Sequence, residues 1–235
     1  EIKSVKSSDL LIIIPAYNEE ASIVSVVDNI IQNYSQYDYV IINDGSKDQT
    51  SVISHAKGYN IVDLPVNLGL AGAFQTGLRY AYEKGYKKAV QFDADGQHLP
   101  EYISVLEEMI DSGYEMVIGS RFVTEKRENS LRMLGNTLIS GAIKLTTGKT
   151  INDPTSGMRM FSENLIKEFA LNINYGPEPD TVSYLIRHGV KVAEAQVRMR
   201  ERQAGESYLT FSRSIQYMIH MFASILIIQN FRKRG

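Results

Sequence analysis

The sequence predicts an α/β fold whose sheet is mainly parallel and covered by helices on both faces. Short β-branched runs recur along the first half of the chain, and segments with helical spacing separate them. The runs themselves are apolar at consecutive positions, as strands buried on two sides must be. The runs fall at residues 10–14, 39–43, 60–64, 89–93 and 115–119. Between them, residues 21–34 set Ile23, Val26, Val27, Ile30 and Ile31 on one helical face, and residues 70–84 do the same with Phe74, Leu78 and Tyr82. Residues 100–112 open with a proline suited to a first helical turn and carry Ile103, Leu106 and Ile110. The second half is less regular. Residues 131–148 read as a helix closed by Gly148, 151–162 as a turn-rich passage, 179–189 as a helix closed by Gly189, and 190–202 as an alternating strand. Residues 211–231 read as a helix that is apolar around most of its circumference. Arg213, Gln216, His220 and Ser224 form one narrow polar stripe along it.

Composition narrows the function. A chain of 235 residues, 43% of them hydrophobic, suits one compact domain with a sizeable core. A formal net charge of −2 provides no basic field for nucleic acid. The absence of cysteine excludes disulfides and thiolate metal sites. No signal peptide is expected. The longest strongly apolar stretch, residues 217–228, is too short to span a bilayer and is interrupted by His220 and Ser224.

In open α/β sheets, ligands bind beyond the carboxyl ends of the strands, and here those ends are polar. The first strand runs into Pro15-Ala16-Tyr17-Asn18-Glu19-Glu20, the second into Asn43-Asp44-Gly45-Ser46, and the fourth into Asp93-Ala94-Asp95-Gly96-Gln97-His98. Asp93 and Asp95 flank a single residue, so a turn can aim both carboxylates into one crevice. Oxygen donors suit a hard cation such as Mg²⁺ or Mn²⁺, which keeps positions open for substrate phosphates. Gln97 could add a neutral oxygen and His98 a nitrogen. The same acids also read as turn and cap residues ahead of the helix at Pro100.

Taken in order, residues 10–23, 40–50, 67–81, 90–103 and 116–122 resemble the family-2 glycosyltransferases of the GT-A fold. The resemblance continues through residues 153–162 and 199–209. It is nearest to the polyprenyl-phosphate glycosyltransferases, the group of dolichyl-phosphate mannose synthase and its bacterial relatives. It implies a metal-dependent, inverting transfer of a hexose from a nucleotide-sugar to polyprenyl phosphate. Asp93 and Asp95 would hold Mg²⁺ or Mn²⁺ against the donor diphosphate with Gln97 as a further ligand, and Ala94 would lie beside them. Pro15, Ala16, Tyr17 and Glu19 would line the base and ribose pocket, and Asp44 would bond the base or ribose. Where the family often has two acids this chain has Asn43-Asp44, which leaves Asp44 as the acid. Gly69 and Gly72 would let the nucleoside approach the backbone closely. Arg121, Arg132 and Arg202 are phosphate-binding candidates, Arg202 on a loop that closes over the diphosphate. Asp153 is the candidate base, with Glu178 and Asp180 as rivals. A lipid phosphate is already ionised and needs little base, whereas a sugar hydroxyl needs one.

The resemblance also implies two parts, a glycosyltransferase domain over residues 1–210 and a C-terminal helix over 211–235. That helix packs on the domain or a second subunit, giving a homo-oligomer. Alternatively it lies on the membrane surface or against a small membrane protein, its basic end near anionic lipid. The expected location is peripheral, on the cytoplasmic face of the membrane. UDP-glucose is the first donor considered and cell-wall or surface polysaccharide the first setting. Two rivals stand: transfer to a hydroxyl of a growing glycan, and a non-catalytic nucleotide-binding subunit. A Rossmann dehydrogenase is disfavoured, because no G-x-G-x-x-G follows the first strand.

Overall fold

The computed structural model describes residues 6–125, 131–172, 176–200 and 211–228, without the side chains at 131, 132, 211–215 and 228. In chain order the elements are β1 (Leu10–Ala16), α1 (Ile23–Asn33), β2 (Asp38–Asn43), α2 (Thr50–Ala56), β3 (Ile61–Asp63), α3 (Gly69–Lys84), β4 (Lys88–Gln91), α4 (Ile103–Asp111) and β5 (Met116–Ser120). They continue with α5 (Leu131–Thr147), β6 (Arg159–Ser162), α6 (Glu163–Leu171), α7 (Pro179–Arg187), β7 (Val192–Gln196) and α8 (Phe211–Ala223), which runs on as a π-helical turn, Ser224–Ile228. Among the described residues the strands form one sheet in the order β3-β2-β1-β4-β6-β5-β7. Every pairing is parallel except those of β6, which runs antiparallel to both β4 and β5.

The consecutive apolar run in β1 is explained by burial on both faces. Leu11 and Ile13 share one core with Phe74 and Leu78 of α3 and with Phe161 and Phe169. Leu10, Ile12 and Ile14 share the other with Ile23, Val27 and Ile30 of α1 and with Ile103 and Leu106 of α4. Each such side chain, fully buried, stabilises the fold by about 1.5–3 kcal/mol relative to exposure. Helix α3 lies close on β1 because position 77 is glycine; a Cβ there would run into the Ile13 side chain.

Three elements depart from the sequence expectation. The turn-rich passage contains β6, a four-residue strand wedged between β4 and β5. Helix α2 has no apolar stripe; its buried residues are Thr50 and Ser54, and the Ser54 hydroxyl bonds back to the Thr50 carbonyl at 2.7 Å. The segment at Pro100 begins as a 3₁₀ turn over Pro100–Tyr102 before α4.

The polar stripe of the tail is also divided. Met221 and Ile225 enter the core with Ile139, Ile143, Val182 and Leu185 of α5 and α7. Ser224 is buried with them and donates its hydroxyl to Asp180 Oδ2 at 2.7 Å. Gly135 of α5 admits the Met218 side chain where a Cβ would collide with it. The described part of the tail therefore packs on the domain through α5 and α7. Its outer face leaves Ile219, Phe222 and Ile227 exposed, and α5 leaves Leu134, Leu138 and Leu145 exposed.

Candidate active site

The first wall of the site is built by cross-bonding the loops after β1 and β2. Asn18, in a left-handed conformation (φ 56°), accepts the Lys47 amide on Oδ1 at 2.8 Å and donates its own amide to Ser46 Oγ at 3.0 Å. The Glu19 amide donates to Thr50 Oγ1 at 2.9 Å, and the Gln49 amide to Glu20 Oε2 at 2.8 Å. Pro15 and Tyr17 are half-buried on this wall and Ala16 is buried, its carbonyl accepting the Asp44 amide at 2.8 Å. Gly45 permits the close crossing; a Cβ there would sit 2.8 Å from the backbone of Val66 and Asn67. The buried Asp44 carboxylate accepts the Leu68 amide at 2.7 Å. Burial pushes its pKa above the ordinary carboxylate value, with the amides of Leu68 and Gly69 pulling the other way. Asp44 thus ties the second strand end to the start of α3 at Gly69, itself in a left-handed conformation (φ 76°). Asn43 spends both ends of its amide on protein, donating to Asp63 at 2.6 Å and accepting the Ser46 amide at 3.2 Å. One carboxylate oxygen of Glu19 is taken by the Ser22 hydroxyl at 2.8 Å.

The second wall is the turn after β4. Gly96 adopts φ 78°, which folds the loop back on itself. Asp95 is buried, and its Oδ1 accepts the Gln97 amide at 3.0 Å. The Asp93 side chain is about one third exposed, and Gln91 Nε2 lies 3.4 Å from its Oδ1. Position 157 is glycine, and a Cβ there would sit 2.7 Å from Asp93 Oδ2. That cradle and the two carboxylates fit a divalent cation that leaves most of its coordination to a substrate diphosphate. Among the described residues no group of three or more His, Cys, Asp or Glu side chains could hold a metal by itself. His98 does not face the site as a free ligand. Its Nδ1 accepts the Asp93 amide at 2.9 Å.

The third wall follows β5. Arg121 donates Nε to Asp153 Oδ2 at 2.7 Å and Nη2 to Oδ1 at 2.9 Å, a two-pronged ion pair. Asp153 is 0% exposed and Arg121 23%. Glu194 of β7 fixes the turn beneath, accepting the amides of Asn152 at 2.7 Å and Asp153 at 2.8 Å. Gln196, two residues along the same strand, donates to the Arg121 carbonyl at 2.9 Å and accepts the Thr124 amide at 2.8 Å. Glu194 and Gln196 were missed in the sequence. Their signal was a pair of polar residues at alternate positions, on one face of the strand.

The fourth wall is acidic. Arg159, fully buried, donates to the carbonyls of Ser156 (2.9 Å), Pro154 (2.7 Å) and Glu178 (3.4 Å). It pins the 153–157 turn to the start of α7, and burial pulls its pKa below the ordinary arginine value. Asp180 accepts the Thr181 amide on Oδ1 at 2.8 Å and the Ser224 hydroxyl on Oδ2. Burial, then the Asp180 charge, raise the pKa of Glu178; His220 and Arg159 oppose them. A carboxyl raised in the folded state contributes stability below its unfolded pKa that is lost as pH rises through the folded value. Glu178→Gln is therefore expected to raise Tm at pH 7.5 and to leave it unchanged near pH 4. Thermal unfolding at the two pH values checks this, and an equal shift at both refutes it.

Asp44, Asp93, Ala94, Asp95, Gln97, Arg121 and Asp153 thus lie on loops at the carboxyl edge of the sheet, beside Pro15 and Ala16 at the end of β1 and Tyr17 and Glu19 just after it, with Gly69 and Asp180 in the first turns of α3 and α7. The Arg132 side chain and all of Arg202 lie outside the described residues.

The glycosyl transferase family 2 model matches residues 11–169. The UDP-N-acetylglucosamine–dolichyl-phosphate N-acetylglucosaminyltransferase of Methanococcus voltae is 37% identical over 179 residues, covering 67% of this chain and 71% of its own. The polyprenol monophosphomannose synthase of Mycolicibacterium smegmatis is 26% identical over 215 residues, 86% of this chain and 81% of its own. Glucosyl-3-phosphoglycerate synthase of Mycobacterium tuberculosis, solved with Mn²⁺, UDP and phosphoglyceric acid, superposes with a TM-score of 0.68 at 22% identity, covering 93% of this chain and 78% of its own. That likeness carries the fold, which is GT-A.

Proposed function

We propose that this chain, which belongs to glycosyl transferase family 2, moves a hexose from a nucleotide-sugar to a polyprenyl phosphate at a membrane surface. The observation that carries the reading is the placement of Asp93 and Asp95, after β4, between the first and third walls. The donor wall of Pro15, Ala16, Tyr17, Glu19, Asp44 and Gly69 lies on one side, and the Arg121–Asp153 pair on the other. The dolichyl-phosphate and polyprenol activities for which the relatives from Methanococcus voltae and Mycolicibacterium smegmatis are named support the acceptor class. Asp93, Asp95 and Gln97 would hold Mg²⁺ or Mn²⁺, which when bound supplies charge neutralisation to a departing nucleoside diphosphate.

The remaining work belongs to the chain itself. Asp153 holds Arg121 through Nε and Nη2, which leaves Nη1 outside the pair for a phosphate oxygen. Arg132 and Arg202 would add charge to the phosphates. A phosphate acceptor arrives ionised, so no residue has to take a proton from it, and a buried Asp153 in a two-pronged pair suits positioning better than proton transfer. Asp180 and Glu178 then border the acceptor and shape its charge. Inversion follows from a single displacement at the anomeric carbon. UDP-glucose is the donor to test first, and surface polysaccharide assembly the setting.

The membrane side of the reading rests on α5 and α8. Leu134, Leu138 and Leu145 on one, and Ile219, Phe222 and Ile227 on the other, are exposed apolar residues of two packed helices. Residues 131–149 and 211–235 contain no acid, and Arg232-Lys233-Arg234 make a basic cluster. An apolar face without acids and with a basic end suits an anionic bilayer. No helix among the described residues is long and apolar enough to cross a membrane.

The test is a transfer screen with Mg²⁺ or Mn²⁺, a panel of nucleotide-sugars, and polyprenyl phosphate in anionic vesicles. Metal-dependent transfer of one sugar to the lipid phosphate is expected. Donor turnover only with a glycan hydroxyl acceptor would overturn the reading.

A further inference from the structure

We propose that His98 is a positioning residue for the metal-facing carboxylate of Asp93, acting on residue 93 through both of its ring nitrogens. The proposal rests on the metal reading of Asp93 and Asp95 and extends it to a side chain outside the ligand set.

The geometry begins with the turn. Phe92 is the last residue after β4 whose amide pairs with a neighbouring strand, donating to the Ile13 carbonyl at 2.9 Å. The Asp93 amide lies one step beyond the ladder. Gly96, in its left-handed conformation, reverses the loop so that His98 returns beneath Asp93. There Nδ1 accepts the Asp93 amide at 2.9 Å, which requires an unprotonated Nδ1 and puts the ring proton on Nε2. Nε2 lies 3.6 Å from Asp93 Oδ2, so the imidazole straddles the residue, holding its backbone with one nitrogen and facing its carboxylate with the other.

The ring has little freedom to leave this position. Its side chain is 3% exposed, and it meets Phe92 edge-on with ring centroids 5.5 Å apart. The absent Cβ of Gly157 leaves room for Oδ2; a Cβ there would sit 2.7 Å from Asp93 Oδ2 and 3.3 Å from His98 Cε1. Asp95 is set by a different device, its own bond to the Gln97 amide. The more exposed acid of the pair is thus the one that His98 supports. A ligating carboxylate fixed in advance binds its cation without first giving up rotamer freedom, and partners behind the ligands commonly set metal affinity by 10–100-fold.

Three variants separate positioning from general support. His98→Ala removes both contacts. His98→Asn keeps an acceptor in reach of the Asp93 amide and loses the group facing the carboxylate. Asp95→Asn is the metal-site control. Binding of Mn²⁺ to the purified protein is followed by the loss of the free-ion paramagnetic resonance signal, with and without UDP, and metal-free UDP affinity is measured beside it. The expected result is Mn²⁺ affinity at least about tenfold weaker in His98→Ala, an intermediate value in His98→Asn, and metal-free UDP affinity unchanged in both. Wild-type Mn²⁺ affinity in a folded His98→Ala overturns the proposal. Equal loss of Mn²⁺ and metal-free UDP binding also overturns it, because His98 would then support the loop as a whole. If His98→Ala does not fold, His98→Asn decides by the same two affinities. Wild-type protein that takes up no Mn²⁺ overturns the metal reading itself, and the His98 proposal with it.

Discussion

Asp95→Asn is expected to abolish metal-dependent transfer while leaving the fold intact. The Asp95 side chain is buried, and its Oδ1 accepts the Gln97 amide at 3.0 Å. An asparagine Oδ1 accepts the same amide, so the turn keeps its bond and its volume, and Tm should stay within a few degrees. What changes is the charge. On the proposed metal role, a carboxylate that would face a divalent cation becomes a neutral amide in a crevice where water screens poorly, so the loss counts more than it would on an open surface. Removal of one preorganised electrostatic contact typically costs roughly 10²–10³-fold in turnover. Here Asp93 remains as the one other carboxylate of the pair, so a loss at or beyond the upper end is expected. Steady-state kcat/KM at saturating Mn²⁺, set beside a melting curve, measures both halves. Near-wild-type turnover in a folded variant would remove Asp95 from the metal site.

Much of this arrangement was legible in the sequence because the signals were local. Residues 10–14 and 40–43 are buried strand residues, and those runs read as such. The Asp93–Asp95 spacing and the glycines at 96 and 148 announced turns that the structure contains, both with positive φ. The unread parts depend on distant partners. β6 was hidden because Arg159 stands in a core strand, and a guanidinium there becomes tolerable only when three carbonyls from 154, 156 and 178 accept its protons. Helix α2 was hidden because its buried positions are Thr50 and Ser54, hydroxyl residues that satisfy themselves locally. Ser224 read as part of a solvent stripe because only the packing of α8 on α7 brings Asp180 to its hydroxyl. The Arg121–Asp153 pair joins residues 32 apart, and no periodicity spans that distance. Resemblance singled out both residues for phosphate and proton roles, but their mutual pairing, and the Glu194 and Gln196 supports behind it, belong to the folded sheet.

That pairing sets the other large effect. Asp153→Ala is expected to destabilise the protein by about 3–5 kcal/mol, since it strips the partner from a partly buried guanidinium. A fall in Tm on the order of 10 °C should follow. The cost is mostly the stranded Arg121, so the double variant Arg121→Met/Asp153→Leu, apolar on both sides, should recover most of the lost stability. It should not recover transfer, because the Arg121 guanidinium is gone. Asp153→Asn is the more informative variant for chemistry. It retains one acceptor for Arg121 and cannot take a proton. If Asp153 positions Arg121, the variant should raise KM for the lipid phosphate more than it lowers kcat, and its pH–rate profile should run parallel to that of the wild type. If Asp153 is a base, kcat should collapse with KM little changed, and the acidic limb of the profile should vanish. The two outcomes also separate the acceptors. A positioning Asp153 suits an acceptor that arrives ionised, and a proton-accepting one requires a hydroxyl. Kinetics of this single variant thus test the chemical class of the acceptor as well as the role of the acid.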